Sequence, residues 1–216
     1  MAGGEITERA KWIRILIAEL ERLYNHVGDV GNLCAGMGFA VGVSNGARLK
    51  ERLMRLNEMV TGSRFLRGMI VPGGVAMDIP RELLWEIADT VGKVQADFAE
   101  TVELLRENDP FLDRVNTTGI LPYNSARELG VVGVAARASG VSYDLRRDKP
   151  YGGYGEVTFN VPVQRSGDVA ARLWVRVDEV PESVRIIRQM LERILQTADA
   201  IKVGIPSIAP YKSGFG

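Results

Sequence analysis

The 216-residue chain has one histidine, His26, and one cysteine, Cys34. A structural zinc site takes about four Cys or His ligands and iron–sulfur clusters are held mostly by Cys thiolates, so these residues build neither unaided. The same count excludes a Cys-rich secreted scaffold. A surplus of either charge is also missing: 27 Lys and Arg stand against 27 Asp and Glu, with no Lys/Arg block. That removes the electrostatic footprint of a nucleic-acid binder. Long apolar runs are absent too. The longest charge-free stretch in an apolar setting, Leu33 to Val43, falls far short of the roughly 20 residues that span a bilayer, so no transmembrane segment is expected. Met1-Ala2-Gly3-Gly4-Glu5 lacks the regions of a secretory signal, which points to the cytoplasm. Ser213-Gly214-Phe215-Gly216 ends on neither a helix stop nor a charged tail, so the chain reads as cut from something longer.

What is present is mostly helical. At 46% hydrophobic, the chain can bury an ordinary core. Thr7 caps a helix whose apolar positions, including Ile13, Leu16, Leu20, Leu23, Val27 and Val30, recur at threes and fours. Small residues continue the spacing at Gly28, Gly31, Ala35, Gly38 and Gly42. Such a face lets something approach closely, either a packed helix or a cofactor or quinone tail. Gly36-x-Gly38-x-x-x-Gly42 places its third glycine one residue late for a dinucleotide fingerprint, and no strand precedes it. Ser44 and Asn45 offer caps for a second helix that stops at Gly62. A glycine-rich loop to Gly74 carries Arg64 and Arg67, and Pro80 opens a third helix that ends at Asn108-Asp109-Pro110.

Alternation of Val157, Phe159, Val161 and Val163, and of Leu173, Val175 and Val177, predicts two strands around a turn at 164–168. The expected fold is therefore mainly α (α+β), a helical bundle with a small β-hairpin insertion in a single domain. Its parts are a helical core over 5–107, an irregular segment over 108–155 with Asn124 as a cap, a hairpin over 156–177, and a final helix over 181–199 opening at Pro181.

No residue is assigned as catalytic or as a metal ligand. His26 lies at helical spacing from Glu19 and Arg22, a polar stripe along the first helix, and reads as a hydrogen-bonded core or interface residue. Cys34, among small apolar residues, reads as an inert thiol. Arg64 and Arg67 suit carboxylates, anionic clusters or a partner's acidic groups, and equally a solvated loop. Arg137, Arg146, Arg147, Arg172 and Arg176 form a second arginine-rich zone near Asp168 and Glu179. Charge compensation at a subunit interface serves there as well as catalysis does.

Arg9-Ala10-Lys11-Trp12-Ile13-Arg14 through Asn25-His26, then Thr61-Gly62-Ser63-Arg64-Phe65, Pro72-Gly73-Gly74-Val75, Arg137-Ala138-Ser139-Gly140, Asp144-Leu145-Arg146, Pro150-Tyr151-x-x-Tyr154, and Gly167-Asp168 to Arg176, Glu179 and Ser183 resemble one family across nearly the whole chain. It is the large subunit shared by nickel–iron hydrogenases and the quinone-site subunit of respiratory complex I. Phe39, Phe65-Leu66-Arg67-Gly68 and Val71-Pro72-Gly73-Gly74 look most similar to energy-converting hydrogenases and the formate hydrogenlyase large subunit. Relatives in complex I carry a histidine in the loop where this chain has Leu66 and Arg67, and an acidic residue where it has Gly36. The resemblance implies a hydrogenase large-subunit-like fold and a membrane-associated oxidoreductase, peripheral on the cytoplasmic face of the inner membrane. It implies an iron–sulfur small subunit and membrane subunits as partners, with Arg64 and Arg67 facing the partner or its cluster and His26, Arg172, Arg176 and Glu179 as a polar relay or interface. The parent's nickel–iron centre would be held by two Cys-x-x-Cys pairs outside these residues, leaving this piece without a cofactor of its own and inactive alone. Alternatives are a quinone-reducing subunit of an NADH:quinone oxidoreductase-like complex, or a metal-free scaffold that docks an iron–sulfur partner.

Overall fold

Thr7 Oγ1 accepts the Ala10 N–H at 3.2 Å and starts α1, Glu8–Gly36, in the computed structural model, which describes residues 5–204. The readings of the two ends, at 1–4 and 213–216, lie outside those residues. After a break at Gly38 (φ 72°), α2 spans Ala40–Thr61. It begins before the expected caps Ser44 and Asn45, because the Phe39 carbonyl already accepts from Val43 N at 3.2 Å. It ends at left-handed Gly62, as the spacing predicts. The small-residue stripe of α1 receives α2. A Cβ on Gly31 would stand 2.7 Å from Gly46 Cα, so two backbones touch where side chains would hold them apart.

Past Gly62 a short hairpin pairs β1, Ile70–Val71, with β2, Gly74–Val75. Pro72 and Gly73 (φ 82°) make its turn, Pro presetting φ and Gly supplying the positive value that follows. Arg14 of α1 fastens it, donating to Val71 O at 2.7 Å and to Gly74 O at 2.8 Å. The third long helix, α3, is Arg81–Arg106. Asn108-Asp109-Pro110 ends it and also opens α4, Asp109–Val115, with Asn108 accepting from Phe111 N at 2.9 Å. Short helices follow: α5 (Tyr123–Glu128), α6 (Gly133–Ala138) and α7 (Leu145–Asp148), then a 3₁₀ turn at Tyr154–Glu156. Asn124 lies inside α5 rather than capping it, since Pro122 takes the cap position.

The hairpin expected over 156–177 does not form. Residues Val169–Gln196 are a single helix, α8, which runs through Pro181 and stops short of 199. Leu173, Val177, Val180 and Val184 face the main core, while Ala171 and Val175 pack on Ala138 of α6. Two buried stripes on opposite sides of one helix, offset by two residues, reproduce the alternation of a strand. The preceding stretch has its alternation for another reason. Thr158 N and O bond the Gln189 side chain at 3.0 and 2.7 Å, Asn160 N bonds Glu182 at 2.7 Å, and the Gln164 side chain bonds Asp178 at 3.0 Å. Side chains of α8 thus occupy the place of a partner strand.

Four long helices close a ring in which α1 packs on α2 and α8, and α3 joins α2 to α8. Leu16, Leu20, Leu23, Leu53, Ile87 and Ile187 fill it. The fold is mainly α with a small antiparallel hairpin, placed at 70–75. Among the described residues, no helix is long and apolar enough to cross a membrane.

Candidate functional site

Glu19, Arg22 and His26 recur at three and four residues along α1, and that stripe faces Glu179 of α8, a residue only 1% exposed. Ionised groups taken out of water cost several kcal/mol each unless closely paired. Here they are paired by cations from the layer above. Arg137 of α6 donates from Nε to Glu179 Oε1 at 2.5 Å, and Arg146 of α7 donates to Glu19 Oε1 at 2.9 Å. Asp144 caps α7 and takes Arg146 in a two-point grip at 3.0 and 2.7 Å. Tyr154 OH donates to the same Glu19 oxygen at 2.7 Å. Arg22, nearer the surface, lies 3.6 Å from Glu19 and 3.4 Å from Glu179. Three carboxylates meet three guanidiniums.

The environment fixes the protonation states. Burial pushes the Glu179 carboxyl up, but hydrogen bonding to His26 and the charge of Arg137 outweigh it and hold the group at about 2. Glu179 is therefore an acceptor only, so His26 Nε2, 2.7 Å away, carries the donated proton. Asp144 is likewise held at about 2, burial being overcome by Arg146. Burial also acts on Arg146, yet Asp144 and Glu19 keep its pKa raised. Burial and Glu19 together push the Tyr154 hydroxyl far up, so it stays a donor. Phe159 lies 4.6 Å beneath the Arg146 guanidinium and closes the site on its apolar side. One carboxylate oxygen, Glu19 Oε2, is buried without a hydrogen-bond partner.

Arg172 and Arg176 belong to the same α1–α8 seam but to its other end. They border a groove of about 420 Å³ between Asp29 and Leu33 of α1 and Val169 of α8. Arg176 Nε bonds Asp29 at 2.9 Å, while Arg172 bonds the carbonyls of Gly167 and Gly119 at 2.8 and 3.1 Å. The loop arginines are elsewhere. Arg64 turns back onto α2, where Glu51 takes its Nη2 at 2.5 Å, and that pairing holds the Glu51 carboxyl at about 2. Arg67 is exposed, with its guanidinium 5.5 Å from the Phe65 ring and no acidic partner among the described residues.

The structure joins His26 to Glu179 and leaves Arg64 and Arg67 at a separate surface. It also gives the second arginine zone an internal task, since Arg137 and Arg146 neutralise this chain's own Glu179 and Glu19. Asp144 and Tyr154 were the residues that sequence reasoning left without a role. The signal for Asp144 was there, an Asp directly before a short Leu-Arg-Arg-Asp helix.

A thiolate-held metal centre does not fit these residues. Cys34 is buried, its thiol donates to Val30 O at 3.3 Å, and burial raises its pKa to about 11, so it stays protonated. No group of three or more His, Cys, Asp or Glu among the described residues is placed to hold a metal ion.

A family model described as respiratory-chain NADH dehydrogenase, 49 Kd subunit, matches residues 37–213. An NADH-quinone oxidoreductase subunit of Roseiflexus sp. (strain RS-1) is 36% identical over 198 residues, covering 91% of this chain and 53% of that protein. The corresponding NADH-quinone oxidoreductase protein of Granulibacter bethesdensis is 39% identical over 194 residues, covering 90% and 48%. Among solved structures, the membrane-bound sulfane sulfur reductase, an archaeal respiratory membrane complex, matches with a TM-score of 0.87 and 34% identity over 97% of this chain and 56% of that one. The chain spans about half the length of the curated relatives it matches. Sequence reading put the hydrogenase branch first and the quinone branch second; the curated relatives reverse that order.

Proposed function

Because the chain belongs to the family of the 49 kDa subunit of respiratory-chain NADH dehydrogenase, we propose that it is the core of the quinone-site subunit in a membrane-associated NADH:quinone oxidoreductase-like complex. The observation that carries this reading is the family match over most of the chain, with curated relatives named as NADH-quinone oxidoreductase subunits. In this proposal the buried ion network is the scaffold's lock. It ties α1 and α8 to α6 and α7, so that the surfaces they carry hold fixed positions relative to a partner. Arg67, exposed on the loop before β1, is the group offered to an iron–sulfur partner subunit, whereas Arg64 sets the loop by gripping Glu51. Iron–sulfur clusters, and any nickel–iron centre, belong to residues and subunits outside the described chain.

The test recovers the complex from membranes through a tag on this chain and measures reduction of a short-chain ubiquinone by NADH. Quinone-dependent NADH oxidation by the complex, and none by the chain alone, is the expected result. Quinone reduction by the isolated chain, or recovery of the chain with no other subunit, would overturn the proposal. A second reading without quinone has two sources: sulfur chemistry draws on the match to the sulfane sulfur reductase, and hydrogen chemistry draws on the sequence resemblance carried by Phe65-Leu66-Arg67-Gly68. Polysulfide-dependent or hydrogen-dependent dye reduction by the same preparation, without quinone reduction, would put that reading first.

A further inference from the structure

The α1–α8 seam is one stripe whose charge order reverses along its length. On α1, Glu19, Arg22, His26 and Asp29 follow at three, four and three residues; on α8, Arg172, Arg176 and Glu179 follow at four and three. At the Glu19 and Glu179 end the two helices supply carboxylates, and the layer above them supplies the guanidiniums of Arg137 and Arg146. Past Asp29, α8 supplies the cations instead. Only α1 and α8 line the groove there, among the described residues, and no third element brings a carboxylate to it. Arg176 has Asp29. Arg172 has two carbonyls, which fix the direction of its N–H groups but leave its charge in place. Two guanidiniums thus stand against one carboxylate, between half-buried apolar walls at Leu33 and Val169.

We infer that this groove docks a segment of another subunit that presents an acidic side chain between apolar neighbours, its carboxylate seated on Arg172 and its apolar flanks on Leu33 and Val169. The segment completes at this end the covering that α6 and α7 provide at the other. The inference rests on the proposed assembly, and its partner is defined by charge complementarity: the covered end shows which sign the missing layer carries.

The experiment uses the complex recovered through the tag. Arg172→Lys keeps the charge but presents a primary amine, which a carbodiimide couples to any carboxylate touching it. Mass spectrometry is expected to find an amide bond between that amine and an Asp or Glu of another subunit. A bond to Asp29 alone, or no bond in an intact and quinone-active complex, overturns the docking inference and leaves the proposed function standing. Recovery of the chain without any other subunit overturns both. Arg172→Gln is expected to lower the co-purified partner by about ten-fold, the scale of a lost interfacial charge pair, with the variant's own melting curve confirming that it folds. Saturable stabilisation of the free chain by citrate that disappears in Arg172→Gln would identify a small free acid as the occupant and overturn the docking.

Discussion

At the end of the α1–α8 seam beneath α6 and α7, Glu19 of α1 meets Arg146 of α7 and Glu179 of α8 meets Arg137 of α6, with Asp144 holding Arg146 from the cap of α7. At the other end, Arg172 and Arg176 border an open groove with Asp29 opposite them. The same two helices and the same residue spacing make both ends. What differs is the covering layer. Where it is present, charges are buried and each depends on its neighbours; where it is missing, they are half-exposed and nearly independent. The covered end should therefore control stability, and the open end should be free to serve an interface.

The largest expected effect breaks the covered end. Glu179→Ala leaves Arg137 and His26 buried without their acceptor, a defect that costs about 3–5 kcal/mol and lowers the melting temperature by roughly 10 °C. The matching change at the open end, Asp29→Ala, removes a pair whose carboxylate side is 53% exposed; it should cost less than about 1 kcal/mol. Denaturant melts of the two variants compare them directly. Equal losses would mean that the covering layer does not set the difference.

Acid should attack the covered end next. Glu179 is held at about 2, below its usual 4.5, and Asp144 at about 2, below 3.8. A depressed carboxyl contributes stability that is complete above its unfolded pKa and is lost as pH falls through the folded one. Melting temperature should therefore drop most steeply between about pH 4.5 and 2, and Glu179→Gln should make that drop shallower. An unchanged acid limb in the variant would exclude Glu179 as its source.

The last test concerns packing. Gly31 touches Gly46 backbone to backbone, so Gly31→Val must push α1 and α2 apart at a cost of about 1–3 kcal/mol. Gly36 lies by the open end, and a Cβ added there would meet nothing within 4 Å. Gly36→Ala should be neutral or stabilising by up to about 1 kcal/mol, as in other helical glycines. Thermal melts would resolve the opposite signs.

Much of the scaffold could be read locally. Thr7, Gly62, Pro80 and Asn108 mark helix boundaries through their own backbone chemistry, and the threes and fours of α1 and α3 need only one buried face. The stripe of Glu19, Arg22 and His26 was legible for the same reason. Reading failed where a helix buries two faces, as at Ala171 to Val177, because periodicity cannot say how many neighbours an element has. Pro181 has the local chemistry of a helix start, yet α8 passes through it. The burial of α8 on two sides offsets the hydrogen bond that proline forfeits. The partners of the stripe were out of reach as well, since Arg146 pairs with Glu19 across 127 positions and Arg137 with Glu179 across 42.

The sequence by itself determined the helix boundaries at Thr7, Gly62 and Asn108, that one Cys and one His cannot assemble a soft-metal site, and that charge is balanced over the chain. Tertiary structure alone decided which charges are neutralised inside and which are left at a groove. Helix spacing depends on neighbours three and four residues apart, whereas the state of a buried charge depends on whichever element is folded over it.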